Sequence, residues 1–164
     1  MISDATKQRF AREVAKYPPE QKQSAVMACL AIVQQEQGWV SAESEKEVAE
    51  FLAMAPIAVH EVTTFYNMYN QQPVGRYKLN VCTNLPCQLR DGQQALDHLC
   101  QRLAVEEGGT TPDGLFTVQR SECLGACADS PVMLVNDRQM CSFMSEDRLD
   151  ELVEVLRAGA ASGA

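Results

Sequence analysis

Four of the seven cysteines in this 164-residue chain fall in two short stretches. Cys82 and Cys87 lie in VCTNLPC, and Cys123 and Cys127 lie in ECLGAC. These C-x4-C and C-x3-C spacings are short enough for both sulfurs of a pair to point at one position. Four such thiolates could bind a structural zinc ion, or each pair could bind one iron of a [2Fe-2S] cluster. A third possibility is thiol–disulfide exchange.

The residues around the pairs narrow these alternatives in part. A plant-type ferredoxin needs a further cysteine three residues after Cys87, where this sequence has Arg90. No C-x-x-C pair typical of thioredoxin-type redox sites is present, which weakens the thiol-exchange interpretation. Spacing does not exclude a four-cysteine zinc site, so on the residues alone both zinc and iron–sulfur remain open.

Two features of the loops suit a bound cluster. Gly125 can adopt a positive φ, which lets a loop turn its N–H groups toward sulfur. Pro86 stiffens the first loop before its second cysteine. The carboxylates of Glu122 and Asp129 disfavour further negative charge, so an electron carrier here would have a low potential, near about −400 mV. Ordinary solvation is the simpler interpretation of those two carboxylates.

The remaining cysteines and the histidines carry no predicted chemistry. Cys29, Cys100 and Cys141 lie on apolar faces of predicted helices or a strand without a close partner, which is typical of packing residues. His60 and His98 lie on predicted helices and are interpreted as unpaired surface or capping residues.

Composition limits the function classes. The net charge of −8 argues against a nucleic-acid-binding surface, and no apolar run is long enough to span a bilayer. The polar start MISDATKQRF lacks the features of a secretory signal, so we expect a cytoplasmic protein without membrane insertion. There is no Gly-rich phosphate loop or dinucleotide motif, so nucleotide and flavin would be bound by another chain.

The elements that position the cysteines follow from the hydrophobic periodicity. Residues 1–72 predict a bundle of four short helices: the second ends at Gly38, a capping box of Ser44 and Glu47 starts the third, and Pro56 starts the fourth. The fourth helix carries an apolar and aromatic stripe. We interpret that stripe as bundle core, with a docking face for another protein as the alternative. Its members are Val59, Val62, Phe65, Tyr66 and Tyr69.

Residues 73–158 predict a small mixed sheet with packed helices. The stretch YKLNV is predicted to form a strand with Cys82 at its end, and a helix follows. The stretch LFTVQRSEC is predicted to form a second strand, with Cys123 just past its end. A hairpin turns at 136–138 and a final helix follows. The predicted class is therefore α+β, and residues 159–164 are expected to be a frayed tail.

Three stretches of the sequence resemble a known protein family. The run VHEVTTFYNMYNQQPVGRYKLNVCTNLPC, followed by ECLGACADSPVMLVND and CSFMS, resembles the E subunit of the bacterial NADH-quinone oxidoreductases, the respiratory complex I family. The likeness extends from the first helix to about Arg157. It implies a helical bundle followed by a thioredoxin-like [2Fe-2S] ferredoxin domain with one cluster. By position, Cys82 and Cys87 would ligate one iron, and Cys123 and Cys127 the other.

The resemblance also implies a setting for the cluster. In that family the protein docks on a partner that binds FMN and NADH, and its cluster lies near the flavin but off the main electron path to quinone. The cluster would take one electron from reduced flavin transiently, so the chain would be a non-catalytic electron-transfer subunit with no activity alone. Its place would be the peripheral arm of a complex on the inner face of the bacterial membrane.

Similar subunits of NAD-dependent formate dehydrogenases and hydrogenases keep the same four cysteines. The stretches QGWV and CSFMS resemble the respiratory version more closely. The residues themselves leave a rival of another class, a zinc-stapled interaction module without a redox role.

Overall fold

The structure, a computed structural model, describes residues 2–162. The chain divides into two compact units, Met1–Pro73 and Val74–Ala164. The first is helical, and the second combines a four-stranded sheet with helices, which confirms the predicted α+β class. In the described part of the chain, every helix is too short or too polar to cross a bilayer.

The helical unit follows the predicted order of elements. These are α1 (Asp4–Val14), a 3₁₀-helix (Pro19–Ala25), α2 (Val26–Gln37), α3 (Ala42–Leu52) and α4 (Pro56–Phe65). Gly38 ends α2 with φ +81°, a left-handed conformation that suits glycine, and Pro56 begins α4. The apolar faces meet in one core whose buried members include Phe10, Leu30, Val33, Val48, Leu52 and Val59.

The start of α3 differs from the prediction. The N-cap is Ser41, in extended conformation, and its hydroxyl accepts the backbone N–H of Ser44. Ser44, predicted as the cap, lies inside the helix and donates its hydroxyl to Gln37 at 2.9 Å. Both serines have the required side chain, but only Ser41 has the extended backbone that an N-cap needs.

The aromatic stripe is only partly core. Val59 is buried in α4, and Tyr69 is buried beyond the helix, where its hydroxyl donates to the Met27 carbonyl. Phe65 and Tyr66, in contrast, are 80% and 37% exposed, so the core interpretation is wrong for these two residues. Phe65, the last residue of α4, lies off the face that buries Val59 and Thr63. Tyr66 follows in an extended conformation, so the helical periodicity no longer applies to it.

The second unit contains one mixed sheet in the order β2-β1-β3-β4. Its elements are β1 (Tyr77–Cys82), α5 (Leu85–Gln88), α6 (Gly92–Leu103), β2 (Phe116–Ser121), a 3₁₀-turn (Cys127–Asp129), β3 (Met133–Val135), β4 (Gln139–Cys141) and α7 (Glu146–Ser162). The predicted strands, hairpin and longer helices are confirmed. The short helix α5 and the 3₁₀-turn were not predicted.

Strand β1 lies inside the sheet and is buried along most of its length. Leu79 and Val81 belong to the core formed with α6 and α7, so the alternate residues, including Cys82, face the other side of the sheet. On that side the buried Lys78 forms an ion pair of 2.5 Å with the more exposed Asp137 in the β3–β4 turn. The pair ties the hairpin to the strand that carries the first cysteine.

The last helix is longer than predicted. It continues through Ser162, although a frayed tail was expected from residue 159. Alanine-rich sequence favours helix here, and Arg76 donates a hydrogen bond of 3.2 Å to the carbonyl of Ala160. Residues 163 and 164 of the expected tail lie outside the described residues.

Candidate [2Fe-2S] site

The two cysteine loops emerge at the same edge of the sheet. Strands β1 and β2 are parallel neighbours, and Cys82 at the end of β1 is the register partner of Ser121 at the end of β2. Cys123 follows two residues later. Because the carboxyl ends of parallel strands meet at one edge, the topology brings together loops that are about 40 residues apart in sequence.

The first pair is buried. Cys82 and Cys87 are each 1% exposed and share a small apolar cluster with Val132. Cys87 lies on α5, whose single helical turn folds the chain back after the strand. The backbone N–H of Cys82 donates to the Val132 carbonyl at 3.0 Å, which fixes the end of β1.

The second pair lies at the surface. Cys123 is exposed and Cys127 is half-buried, and their sulfurs are 3.9 Å apart. Gly125 has φ +76°, and its N–H donates to the sulfur of Cys123 at 3.4 Å. The glycine therefore makes the turn expected of it, because this conformation is costly for a residue with a Cβ.

Electrostatics link the cysteines across the loops. Burial raises the pKa of the Cys82 thiol, while hydrogen bonds from the backbone of Asn84 and Leu124 oppose the rise. The pKa of Cys127 is raised first by its hydrogen bond with Cys123, then by burial and by the charges of Cys123 and Cys87. Thiols so placed favour the protonated form until a cation replaces their protons, since metal ligands must be deprotonated.

The donor set fits a binuclear cluster. The four cysteines form two pairs, one buried and one at the surface. A [2Fe-2S] cluster takes two thiolates on each iron, and backbone N–H groups near the sulfurs support its charge.

The acidic neighbours are not simply solvated. Glu122 accepts a hydrogen bond from the side chain of Asn84 at 3.2 Å, which connects the two cysteine loops. Asp129 accepts one from Ser142 at 3.3 Å. Solvation alone is therefore an incomplete interpretation, because both carboxylates also hold the loop structure around the site.

The other cysteines lie in the two cores. Cys29 is buried in the helical core, where desolvation and then the charge of Glu13 raise the pKa of its thiol to about 12. Cys100 and Cys141 pack against the core of the second unit. These positions agree with the predicted packing role.

The histidines differ from expectation in having partners. His60 Nδ1 lies 2.9 Å from a carboxylate oxygen of the buried Glu45. His98 Nε2 lies 3.0 Å from a carboxylate oxygen of Asp150. Both pairs connect neighbouring helices, and neither includes a cysteine.

Two residues at the site were missed by sequence reasoning. Gly92, the first residue of α6, packs so closely on the first loop that a Cβ there would lie 2.8 Å from the carbonyl oxygens of both Cys82 and Cys87. Ser130 is buried, and its hydroxyl lies 2.9 Å from the sulfur of Cys87. Their only sequence signal is that each lies within five residues of a paired cysteine.

Comparison with known proteins identifies the family. The sequence model of the thioredoxin-like [2Fe-2S] ferredoxins matches residues 10–157. The chain is 43% identical over 154 residues to NADH-quinone oxidoreductase subunit 2 of Thermus thermophilus, covering 93% of this chain and 85% of that protein. It is 40% identical over 144 residues to an NADH-quinone oxidoreductase E subunit of Rhizobium meliloti, covering 88% of this chain and 84% of that protein.

A solved structure shares the fold. The NAD+-reducing [NiFe]-hydrogenase in its air-oxidised state superposes with a TM-score of 0.68 at 23% identity, over 82% of this chain. The match spans only 23% of that hydrogenase chain. The matched cofactor class and the paired cysteines agree, and the chain belongs to the thioredoxin-like [2Fe-2S] ferredoxin family, among the relatives of the NADH-quinone oxidoreductase E subunits.

Proposed function

We propose that Cys82, Cys87, Cys123 and Cys127 bind one [2Fe-2S] cluster and that the chain is a one-electron carrier subunit of an NADH-quinone oxidoreductase. The observation that carries this proposal is the meeting of two cysteine pairs at the ends of adjacent parallel strands. The first pair would ligate one iron and the second pair the other. The cluster supplies a one-electron redox centre when bound.

The chain's own residues define what such a centre can do. The buried pair, Cys82 and Cys87, lies on a side of the site that is shielded from water, while the exposed Cys123 places the other side at the surface. A redox site at a protein surface can exchange electrons with a docked partner. Gly125 and Leu124 direct backbone N–H groups at the sulfurs, which offsets the negative charge of the thiolates.

The reaction partner follows from what the sequence lacks. Since the sequence has no nucleotide-binding motif, FMN and NADH belong to a partner protein, and the chain has no catalytic activity of its own. The Thermus and Rhizobium relatives are subunits of NADH-quinone oxidoreductases, which favours the respiratory complex over a hydrogenase or formate dehydrogenase. The corresponding location is the peripheral arm on the inner face of the bacterial membrane.

The direct test is analysis of the anaerobically purified protein. We expect about two irons and two acid-labile sulfides per chain, visible absorbance, and one EPR signal after reduction with dithionite. A colourless protein with one zinc ion and no sulfide would contradict the proposal and support the zinc-stapled module. Co-purification with a flavoprotein, followed by identification of the other subunits, distinguishes the respiratory complex from a hydrogenase or formate dehydrogenase.

Two exposed leucines flank the buried Cys87 and mark a docking face for the flavin-binding partner. Leu85 is 65% exposed and Leu89 is 77% exposed. Exposed apolar patches on a protein surface are typical of sites where another protein binds. Both belong to the loop that carries a proposed ligand, so a partner that covers them would approach the cluster.

We predict that Leu89→Glu weakens binding to the flavoprotein partner about tenfold or more without removing the cluster. The cause is the burial of an added charge in place of an apolar side chain. Surface plasmon resonance with the purified partner measures the affinity. Val155→Glu is the matched control, because Val155 is also an exposed aliphatic residue but lies on α7. Equal affinity of Leu89→Glu and the unmodified chain would exclude this face.

A further inference from the structure

We propose that the hydroxyl of Ser130 donates a hydrogen bond to the Cys87 sulfur and thereby raises the reduction potential of the bound cluster. The inference rests on the proposed function, because it needs Cys87 to be an iron ligand. Ser130 acts through that ligand and is therefore a positioning residue.

The contact is close and protected from water. The Ser130 Oγ and Cys87 Sγ atoms are 2.9 Å apart. Ser130 is 2% exposed, and Cys87 is equally buried. Buried hydroxyls are almost always hydrogen-bonded, and the sulfur is the partner that the structure provides.

The backbone around Ser130 holds it in place. It follows the 3₁₀-turn that contains Cys127, and its N–H donates to the Cys127 carbonyl at 3.4 Å. Two residues later, the Val132 carbonyl accepts the N–H of Cys82 at 3.0 Å. The hydroxyl is thus fixed between segments that both carry proposed ligands, and it bridges from the second cysteine loop to the first.

Ligation determines the direction of the hydrogen bond. With a free thiol, either the sulfur or the oxygen can be the donor. An iron-bound thiolate has no proton, so only the hydroxyl can donate. Cluster binding therefore gives Ser130 one role, that of a neutral donor to sulfur.

Such a donor shifts the redox equilibrium. Reduction adds one negative charge to the cluster, part of which falls on the ligand sulfurs, and a hydrogen bond to sulfur stabilises the more negative state. The effect is strong in a low-dielectric site and cannot be replaced by water at a buried position. Cys123, which receives the Gly125 N–H at 3.4 Å, is exposed, so water can substitute for a lost donor there.

The test compares midpoint potentials of three loaded variants in an EPR-monitored redox titration. Ser130→Ala should shift the one-electron equilibrium about tenfold toward the oxidised state, a lowering of about 59 mV. Ser130→Thr keeps the hydroxyl and should restore most of the shift. Thr110→Ala is the matched control, because it removes a hydroxyl of the same unit whose partner is Thr117 rather than a cysteine, and its potential should equal that of the unmodified chain.

Each other outcome overturns the inference. An unchanged potential in Ser130→Ala, with iron and sulfide as in the unmodified chain, would show that the hydroxyl does not act on the cluster. Loss of the cluster from Ser130→Ala or from Ser130→Thr would show a structural role instead of control of the potential. Absence of iron and sulfide from the unmodified protein would refute the proposed function itself, and the two failures are thereby distinguished.

Discussion

Replacing Cys123 with serine is expected to remove the iron–sulfur cluster while the chain remains folded. Thiolate is the ligand that iron prefers in such clusters, and a serine hydroxyl is not ionised at neutral pH. Loss of a supporting residue around a metal site already costs roughly 10–100-fold in metal affinity, so loss of a ligand should exceed about 100-fold. Visible absorbance, the EPR signal and iron content measure the loss.

The position of Cys123 makes the result interpretable. The side chain is exposed, so its replacement removes no core packing, and the circular dichroism and melting temperature should match those of the unmodified apoprotein. The same substitution at Cys82 or Cys87 would combine loss of a ligand with a change in a buried cluster. Cys123 therefore separates ligation from folding better than either buried cysteine.

Cys100→Ser is the matched control. Cys100 lies in the same unit, is half-buried on α6 and packs against its core, and burial is the first cause of its raised pKa. This variant should retain iron, sulfide and colour even if its melting temperature falls. Full colour and two irons in Cys123→Ser would contradict the ligand assignment, whereas loss of colour in both variants would indicate general destabilisation.

The sequence predicted what depends on local patterns. Period-two alternation identified β1, and the stretch LFTVQRSEC indicated β2. Cys82 was thereby predicted at the end of the first strand and Cys123 just past the end of the second. Gly38 and Pro56 identified helix ends because the backbone preferences of glycine and proline act within one turn. The two cysteine loops were predicted beside strand ends, and the parallel pairing of the strands explains why the loops meet.

The features that the sequence could not predict depend on the backbone at helix ends or on contacts between segments that are distant in sequence. Phe65 belongs to the apolar run at the end of α4, but it lies off the face that buries Val59 and Thr63 and is exposed. Two serines have a side chain suited to capping α3, and only the observed backbone selects Ser41. Ser130 became visible as a neighbour of Cys87 only when the fold brought together residues that are 43 positions apart.

The close contact of Gly92 with the first cysteine loop was also visible only in the structure, and its replacement is expected to have a large effect on cluster binding and stability. We predict that Gly92→Ala weakens cluster binding and destabilises the protein by about 1–3 kcal/mol, the usual cost of overpacking. The added Cβ would lie 2.8 Å from the carbonyl oxygens of Cys82 and Cys87. Both contacts are backbone atoms, so relief requires movement of the loop that carries the buried ligands.

The cost at Gly92 is steric and not conformational. Its φ is not among the positive values found at Gly38, Gly108, Gly114 and Gly125. Alanine could therefore adopt the backbone of the first helical residue, where it even has the higher helix propensity. Any loss of stability must come from the contact between α6 and the cysteine loop.

Gly159→Ala provides the control, because Gly159 lies in α7 and a Cβ there meets its nearest atom, the Tyr77 hydroxyl, at an ordinary 3.8 Å. This variant should be as stable as the unmodified chain or more so. Chelator challenge with visible absorbance measures cluster retention, and thermal denaturation measures stability. Gly92→Ala should lose its cluster several-fold faster than Gly159→Ala. Equal rates of loss would mean that α6 does not constrain the ligand loop, because the added methyl group would then have been accommodated without moving either cysteine.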